Sequence, residues 1–177
     1  MKIVVAKRSG GFLVKSDNTL NHNNSDYYCP EGVTCLEAVP CIYTHIDKAG
    51  KCVAERFVGR YFSAFAFGCL LYDRSEASDP FISAAMDFTS IMDMDWRPLE
   101  AIPQGGYSIS VGGATRFEMA EGLDKKLFCD AICAITRRAS LRIGDIVAIE
   151  LGSAGEIAAG DQLTFITPGK KVDIKIF

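Results

Sequence analysis

The sequence predicts an α+β fold that is mostly β. Three observations predict it. Short runs rich in β-branched and aromatic residues recur along the chain, bounded by Gly, Pro, Asn or Asp turn signals. A single stretch, Asp124 to Arg138, repeats its apolar residues at helical spacing. The order of these elements, strands, one helix and strands again, is not the regular alternation of an α/β chain.

Taken in order, Lys2 to Ala6 and Gly11 to Val14 read as two short strands around the turn Arg8-Ser9-Gly10-Gly11. Asp17 to Glu31 is polar, asparagine-rich and closed by Pro30, the composition of a long loop or a pair of turns. Val39 to Ile46 is a strand, and Pro40 places it at an edge or at the start of pairing, because proline cannot donate to a ladder. Lys48 to Lys51 makes a tight turn. Phe65 to Tyr72 is a continuous apolar run, either a strand buried on both faces or a buried helix. Gly106 to Val111 alternates and ends in Gly112-Gly113, a hairpin signal, with Arg116 to Met119 as the return strand.

In the helical stretch, Leu127, Phe128, Ala131, Ile132 and Ile135 form one apolar face. Asp124 is its candidate N-cap, and Arg137 and Arg138 complement the negative C-terminal end of the dipole. Three strands follow: Asp145 to Leu151, Gln162 to Ile166 and Val172 to Phe177. Each is bounded by a turn, Ile143-Gly144-Asp145, Ala159-Gly160-Asp161 or Thr167-Pro168-Gly169-Lys170.

The 177 residues suit one domain spanning 1–177, with 17–31 as its polar loop. Hydrophobic residues at 49% and charged residues at 23% exclude a disordered, collagen-like or coiled-coil chain. A net charge of −3 lacks the basic excess that binds a phosphate backbone, so no nucleic-acid partner is expected. The longest apolar run, Ala64 to Tyr72, is far short of the roughly 20 residues that span a bilayer, and no membrane partner is expected. Ile3 to Ala6 is too short for the apolar region of a secretory signal. A soluble, cytoplasmic protein is therefore expected.

Seven cysteines, an odd number without C-x-x-C spacing, argue against a disulfide framework. Cys129 and Cys133 sit four apart on the helix, but neither histidine, His22 or His45, neighbours them, and small buried thiols are the simpler reading. Asp87, Asp93 and Asp95 form an acidic cluster without the glycine-containing pattern of a calcium loop, and read as a solvated loop before Trp96. Gly105-Gly106 and Gly112-Gly113 lack phosphate-loop spacing.

The stretch from Ser140 to Phe177 carries Leu141, Gly144-Asp145 and Gly160-Asp161 in an order that resembles the end of the fumarylacetoacetate hydrolase superfamily. The run from Asp47 to Ala77 resembles the family segment with Gly-Lys, an aromatic-rich helix, and a strand ending in a metal-binding aspartate followed by an arginine. The resemblance extends, with gaps, from about Phe12 to Phe177. It implies a mixed β-roll or distorted sandwich with small peripheral helices. It also implies Mg²⁺ or Mn²⁺ on a Glu-x-Glu pair and an aspartate, stabilising the enolate formed when a C–C bond of a 2-oxo or 1,3-dicarbonyl acid breaks. In the resembled hydrolases a lysine adds positive charge and a His-Glu pair activates water.

Counted from Gly50-Lys51, the two glutamate positions hold Val39 and Cys41, and counted from Tyr61 the aspartate position holds Leu70. Asp79 stands at the lysine position, Ile149-Glu150-Leu151-Gly152 replaces the family's Thr-Gly-Thr-Pro, and the histidine motif has no counterpart in Val4 to Phe12. Arg74 keeps the family arginine and is the candidate substrate-binding residue. The nearest carboxylates are Glu37 and Asp73. A two-residue slip admits Glu37 but leaves Val39. The three-residue slip that admits Asp73 turns it to the other face of the strand. With Asp79, these carboxylates read as solvated loop groups near strand ends.

The expectation is thus a catalytically degenerate family member with no catalytic residues and no cofactor, a binding or structural subunit for which a small carboxylic acid is a possible ligand. The alternative is a metal-dependent hydrolase, isomerase or lyase of small 2-oxo or 1,3-dicarbonyl acids, using Mg or Mn. The resemblance also implies a homo-oligomer, a dimer above all.

Overall fold

A computed structural model describes residues 1–103, 105–119 and 122–177. Strands β1 (Lys2–Ala6), β2 (Phe12–Ser16), β3 (Leu20–Asn21), β4 (Leu36–His45), β5 (Ala64–Asp73), β6 (Ser90–Met92) and β10 (Ile146–Glu150) form one curled sheet. Its order is β2-β1-β10-β4-β5-β6-β3, with β7 (Arg97–Pro98) beside β5 and β11 (Glu156–Ile157) beside β4. The β1–β10 and β3–β6 pairs are parallel and the rest antiparallel. A second, antiparallel sheet runs β13-β12-β8-β9, from β8 (Ser108–Val111), β9 (Ala114–Glu118), β12 (Gln162–Thr167) and β13 (Lys170–Lys175). Helices α1 (Glu55–Val58), α2 (Pro80–Ala85) and α3 (Lys125–Thr136) are short. The fold is α+β and mostly β, as the sequence predicts.

The large sheet is apolar on both faces. One face carries Val4, Ala38, Ile42, Phe65, Phe67, Leu71 and Val147 against Phe128 and Ile132 of α3 and Ile109, Leu163 and Phe165 of the second sheet. The opposite face carries Ile3, Val5, Val39, Cys41, Tyr43, Leu70, Tyr72 and Ala148, with Leu20, Met92 and Trp96 against it. Two buried faces explain why residues 64–72 show no alternation, and they resolve that run as strand β5.

Pro40 is a correction. It lies inside β4, a central strand between β10 and β5, and pairs with Cys69. The physical reason is a gap on the other side. Pro40 O accepts from Leu151 N (2.8 Å), the next bond to that side of β4 comes from Ala154 N to Ala38 O (2.8 Å), and residues 152–153 loop out between them. The donor that proline lacks is not missed there.

Gly68 is the one strand glycine that its surroundings demand. A Cβ there would lie 2.0 Å from the Ile91 carbonyl and 2.7 Å from the Tyr43 ring. Its carbonyl accepts from the buried Tyr107 hydroxyl at 2.6 Å, which ties the two sheets together.

The 17–31 loop is more ordered than a plain loop. It contains a 3-10 turn at Asp17–Thr19 and the short β3, and Tyr27 bridges to Ile176. Helix α3 starts where the sequence places it, with Asp124 accepting from Lys126 N at 2.9 Å. Helix α2 was not foreseen. Asp79 caps it, accepting from Phe81 N (2.7 Å) and Ile82 N, with Pro80 at its first position.

Candidate functional site

Strands β4 and β5 bring the three implied ligand positions together. Val39 lies directly opposite Leu70, and Cys41 opposite Gly68 and Glu150. Val39, Cys41 and Leu70 share one face and one apolar cluster, at 4%, 0% and 0% exposure. Burial pushes the Cys41 thiol well above its ordinary pKa, so it stays protonated and apolar in character.

Two carboxylates approach this patch. Glu37, two residues before Val39, has the same strand parity, and Glu150 lies across from Cys41. Neither is a free ligand, and Glu37 is not the solvated group the sequence suggested. Glu37 Oε2 receives Arg74 Nε (2.7 Å) and Nη2 (2.6 Å), and its Oε1 accepts from Ser153 Oγ at 2.7 Å. Glu150 Oε1 accepts from the Tyr72 hydroxyl at 2.9 Å, and its Oε2 from Arg8 N at 3.0 Å. Asp73 has the opposite parity to Leu70 and pairs with Leu36. Burial works upward on its carboxyl, but hydrogen bonds from Ser75 and Ser78 outweigh it and hold the group below its usual value.

A divalent cation does not fit this set. It wants about six oxygens. The three central positions offer two aliphatic chains and a protonated thiol, and all four oxygens of Glu37 and Glu150 already accept hydrogen bonds from the chain. Among the described residues no three His, Cys, Asp or Glu side chains converge.

What the site does present is a basic cleft. A cavity of about 460 Å³ is lined by Lys7, Arg8, Arg74, Glu37, Glu150 and Val39 among others. A second, of about 230 Å³, shares Lys7 and Arg74 and adds Tyr72 with the hydroxyl residues Ser75, Ser78 and Ser83. Three cations face two carboxylates, an excess of one positive charge. Arg74, half exposed, is held by Glu37 at the mouth. Lys7 and Arg8 make no side-chain ion pair among the described residues. The cleft is therefore suited to a small anion.

Sequence reasoning missed Lys15. It lies on β2 opposite Ile3 and is fully buried. Its ammonium donates to Thr89 Oγ1 at 3.0 Å and stands 5.3 Å from the centre of the Tyr72 ring, with no carboxylate in contact among the described residues. Burial lowers its pKa to about 8, and the nearby Cys41 opposes that only in part. No local signal marks it, because the strand read from the sequence, Gly11 to Val14, ends one residue before it.

The acidic cluster is also corrected. Asp93 is buried rather than solvated, and pairs with Arg97 at 2.7 Å, while Asp95 holds the same arginine at 2.9 Å. Asp93 and Asp95 thus clamp one arginine, while Asp87 stands apart beside Asn18, and among the described residues the three do not converge.

No family model and no curated protein matches the chain. Solved structures do. A protein of Yersinia pestis CO92, named as a fumarylacetoacetate hydrolase family protein, superposes with a TM-score of 0.80 at 19% identity, over 99% of this chain and 92% of that one. Fumarylpyruvate hydrolase from Pseudomonas aeruginosa, in complex with Mn²⁺ and pyruvate, gives 0.79 at 14% identity, over 99% and 89%. The 5-carboxymethyl-2-hydroxymuconate delta-isomerase of Mycobacterium smegmatis gives 0.79 at 12% identity, over 99% and 78%. At these identities the likeness is one of fold. No helix among the described residues is long and apolar enough to cross a membrane.

Proposed function

We propose that this chain, which has the fold of the fumarylacetoacetate hydrolase family, is a degenerate member of that superfamily that binds a small carboxylic acid without metal-dependent turnover. One observation carries the reading. Where the family chemistry asks for three convergent carboxylates, the sheet aligns Val39, Cys41 and Leu70 in a single buried apolar patch. The cationic rim of Lys7, Arg8 and Arg74 remains beside it, and a 2-oxo acid is the ligand class that suits both the rim and the fold. In this reading Arg74 meets the ligand carboxylate. The chain acts as a binding or structural subunit of the cytoplasm and assembles as a homodimer.

Thermal unfolding tests the proposal. A ligand that binds only the native state raises the midpoint. Pyruvate at millimolar concentration is expected to raise it, Mg²⁺ and Mn²⁺ are expected to leave it unchanged, and Arg74→Met is expected to abolish the pyruvate effect. The second reading, a metal-dependent hydrolase or isomerase, draws on the Mn²⁺ and pyruvate held by the Pseudomonas enzyme. Metal-stimulated cleavage of an acylpyruvate by the unmodified chain would establish that reading and overturn ours.

A further inference from the structure

A further cavity lies away from the basic cleft, at the polar loop of residues 17–31. It measures about 650 Å³, and its walls include Asn21, Asp26, Tyr27, Tyr28, Asp87 and Phe88. We propose that it is a binding site for a small organic cation, a primary or quaternary ammonium compound.

The walls are built rather than incidental. Asn21 closes its own loop, donating from Nδ2 to Ser25 O at 2.8 Å and accepting from Ser25 N at 2.9 Å. Tyr27 N donates to Lys175 O and Phe177 N to Tyr27 O, both at 2.8 Å, which zips this segment to the end of β13 and the residues after it. Tyr28, 71% exposed, is held by stacking on Phe177 with ring centres 5.0 Å apart. Across the cleft, Phe88 is 55% exposed and adopts a φ of +58°, a conformation that costs a bulky residue of order 1 kcal/mol or more. The backbone there is tied down by Phe88 N donating to Asn18 O at 3.2 Å. Two large aromatic side chains, Tyr28 and Phe88, thus stand more than half exposed in the walls.

Charge selects the ligand. Asp26 and Asp87 stand in the walls with no salt-bridge partner among the described residues, and each holds only one hydrogen bond through Oδ1, from Lys175 N and Asn18 Nδ2. No lysine or arginine is among the described wall residues, and His22 is the one basic side chain there. A cation gains from both carboxylates and from the negative faces of the rings. Tyr27 itself is 3% exposed and belongs to the hydrophobic core.

Choline is the probe, with dimethylbutanol as its uncharged carbon isostere. Binding is followed by NMR through the aromatic resonances of the protein. Saturable choline binding of roughly millimolar affinity is expected, with the isostere about tenfold weaker. Asp26→Asn with Asp87→Asn, and separately Phe88→Ala, should each lower choline affinity about tenfold. The carboxamide variants lie on the surface and keep the fold, which the unchanged resonances of the sheet will report. The proposal is overturned if choline does not saturate, if the isostere binds equally well, or if the variants bind like the parent. Pyruvate binding at the basic cleft is unaffected by these variants, so the two sites fail or stand separately.

Discussion

Replacing Lys15 by methionine should stabilise the protein, and should do so most at neutral pH. The ammonium is fully buried and its contacts are Thr89 and the Tyr72 ring, with the Cys41 thiol nearby and no compensating carboxylate. Its pKa falls from 10.5 in the unfolded chain to about 8 in the fold. A difference of 2.5 units corresponds to about 3 kcal/mol, the upper estimate of what the buried charge costs below pH 8. Between 8 and 10.5 the unfolded state binds the extra proton, so this cost fades as pH rises. From pH 7 to pH 9 the contribution of Lys15 improves by about 1 kcal/mol. The parent alone will not display this cleanly. Buried Cys41 and Cys69 keep their protons above pH 9, where the unfolded thiols lose theirs, and stability then falls with pH. The difference between parent and Lys15→Met cancels the thiols. Urea unfolding at pH 7, 8 and 9 should give a methionine advantage that shrinks by about 1 kcal/mol across the series. Thr89 Oγ1 keeps its bond to Met86 O at 2.6 Å, so no polar group is stranded by the change. An advantage that is independent of pH would refute the assignment of a strained, titrating ammonium.

The triple variant Val39→Glu, Cys41→Glu and Leu70→Asp should be strongly destabilised without metal and should gain a midpoint shift with millimolar Mn²⁺, while still failing to cleave acylpyruvates because Asp79 is committed to capping α2. Gly68→Ala should cost at least about 2 kcal/mol in urea unfolding, because the backbone carbonyl of Ile91 occupies the space of the new Cβ. Light scattering at tens of micromolar should give a dimeric mass, and a strictly monomeric one would remove the proposed assembly.

Much of the fold was legible because it is written in strand-scale patterns. Val147, Ala148 and Ile149 or Leu163 and Phe165 announce strands through β-branched and aromatic content, and the hairpin between β8 and β9 turns on Gly112-Gly113 as expected. The very short strands β3, β6, β7 and β11 were not legible. Two or three residues carry too little periodicity to register, and their pairing is imposed by the sheet. Pro40 misled for a related reason, since its tolerance depends on a loop more than a hundred residues away. Val39, Cys41 and Leu70 fall on one face because two antiparallel strands with a fixed register need only spacing to align them. Lys15 and the Glu150 contacts were not legible, because strands distant in sequence create both.

The carboxylates of the cleft acquire a different role from metal ligation once their partners are considered together. Glu37 takes both Nε and Nη2 of Arg74 onto one oxygen and steadies the other with Ser153. Glu150 takes the backbone N–H of Arg8 and the hydroxyl of Tyr72. Each therefore fixes a segment that carries a cation, Arg74 after β5 and Arg8 in the turn after β1. Burial, with Glu150 beside it, keeps the Tyr72 hydroxyl protonated and able to donate. An exposed ion pair adds little stability by itself. Its effect here is orientation, since a guanidinium held in place loses less freedom when a ligand carboxylate arrives. In the proposed reading, the same two glutamates, whose oxygens are already satisfied by the chain, serve to hold the cationic rim in place for an anion.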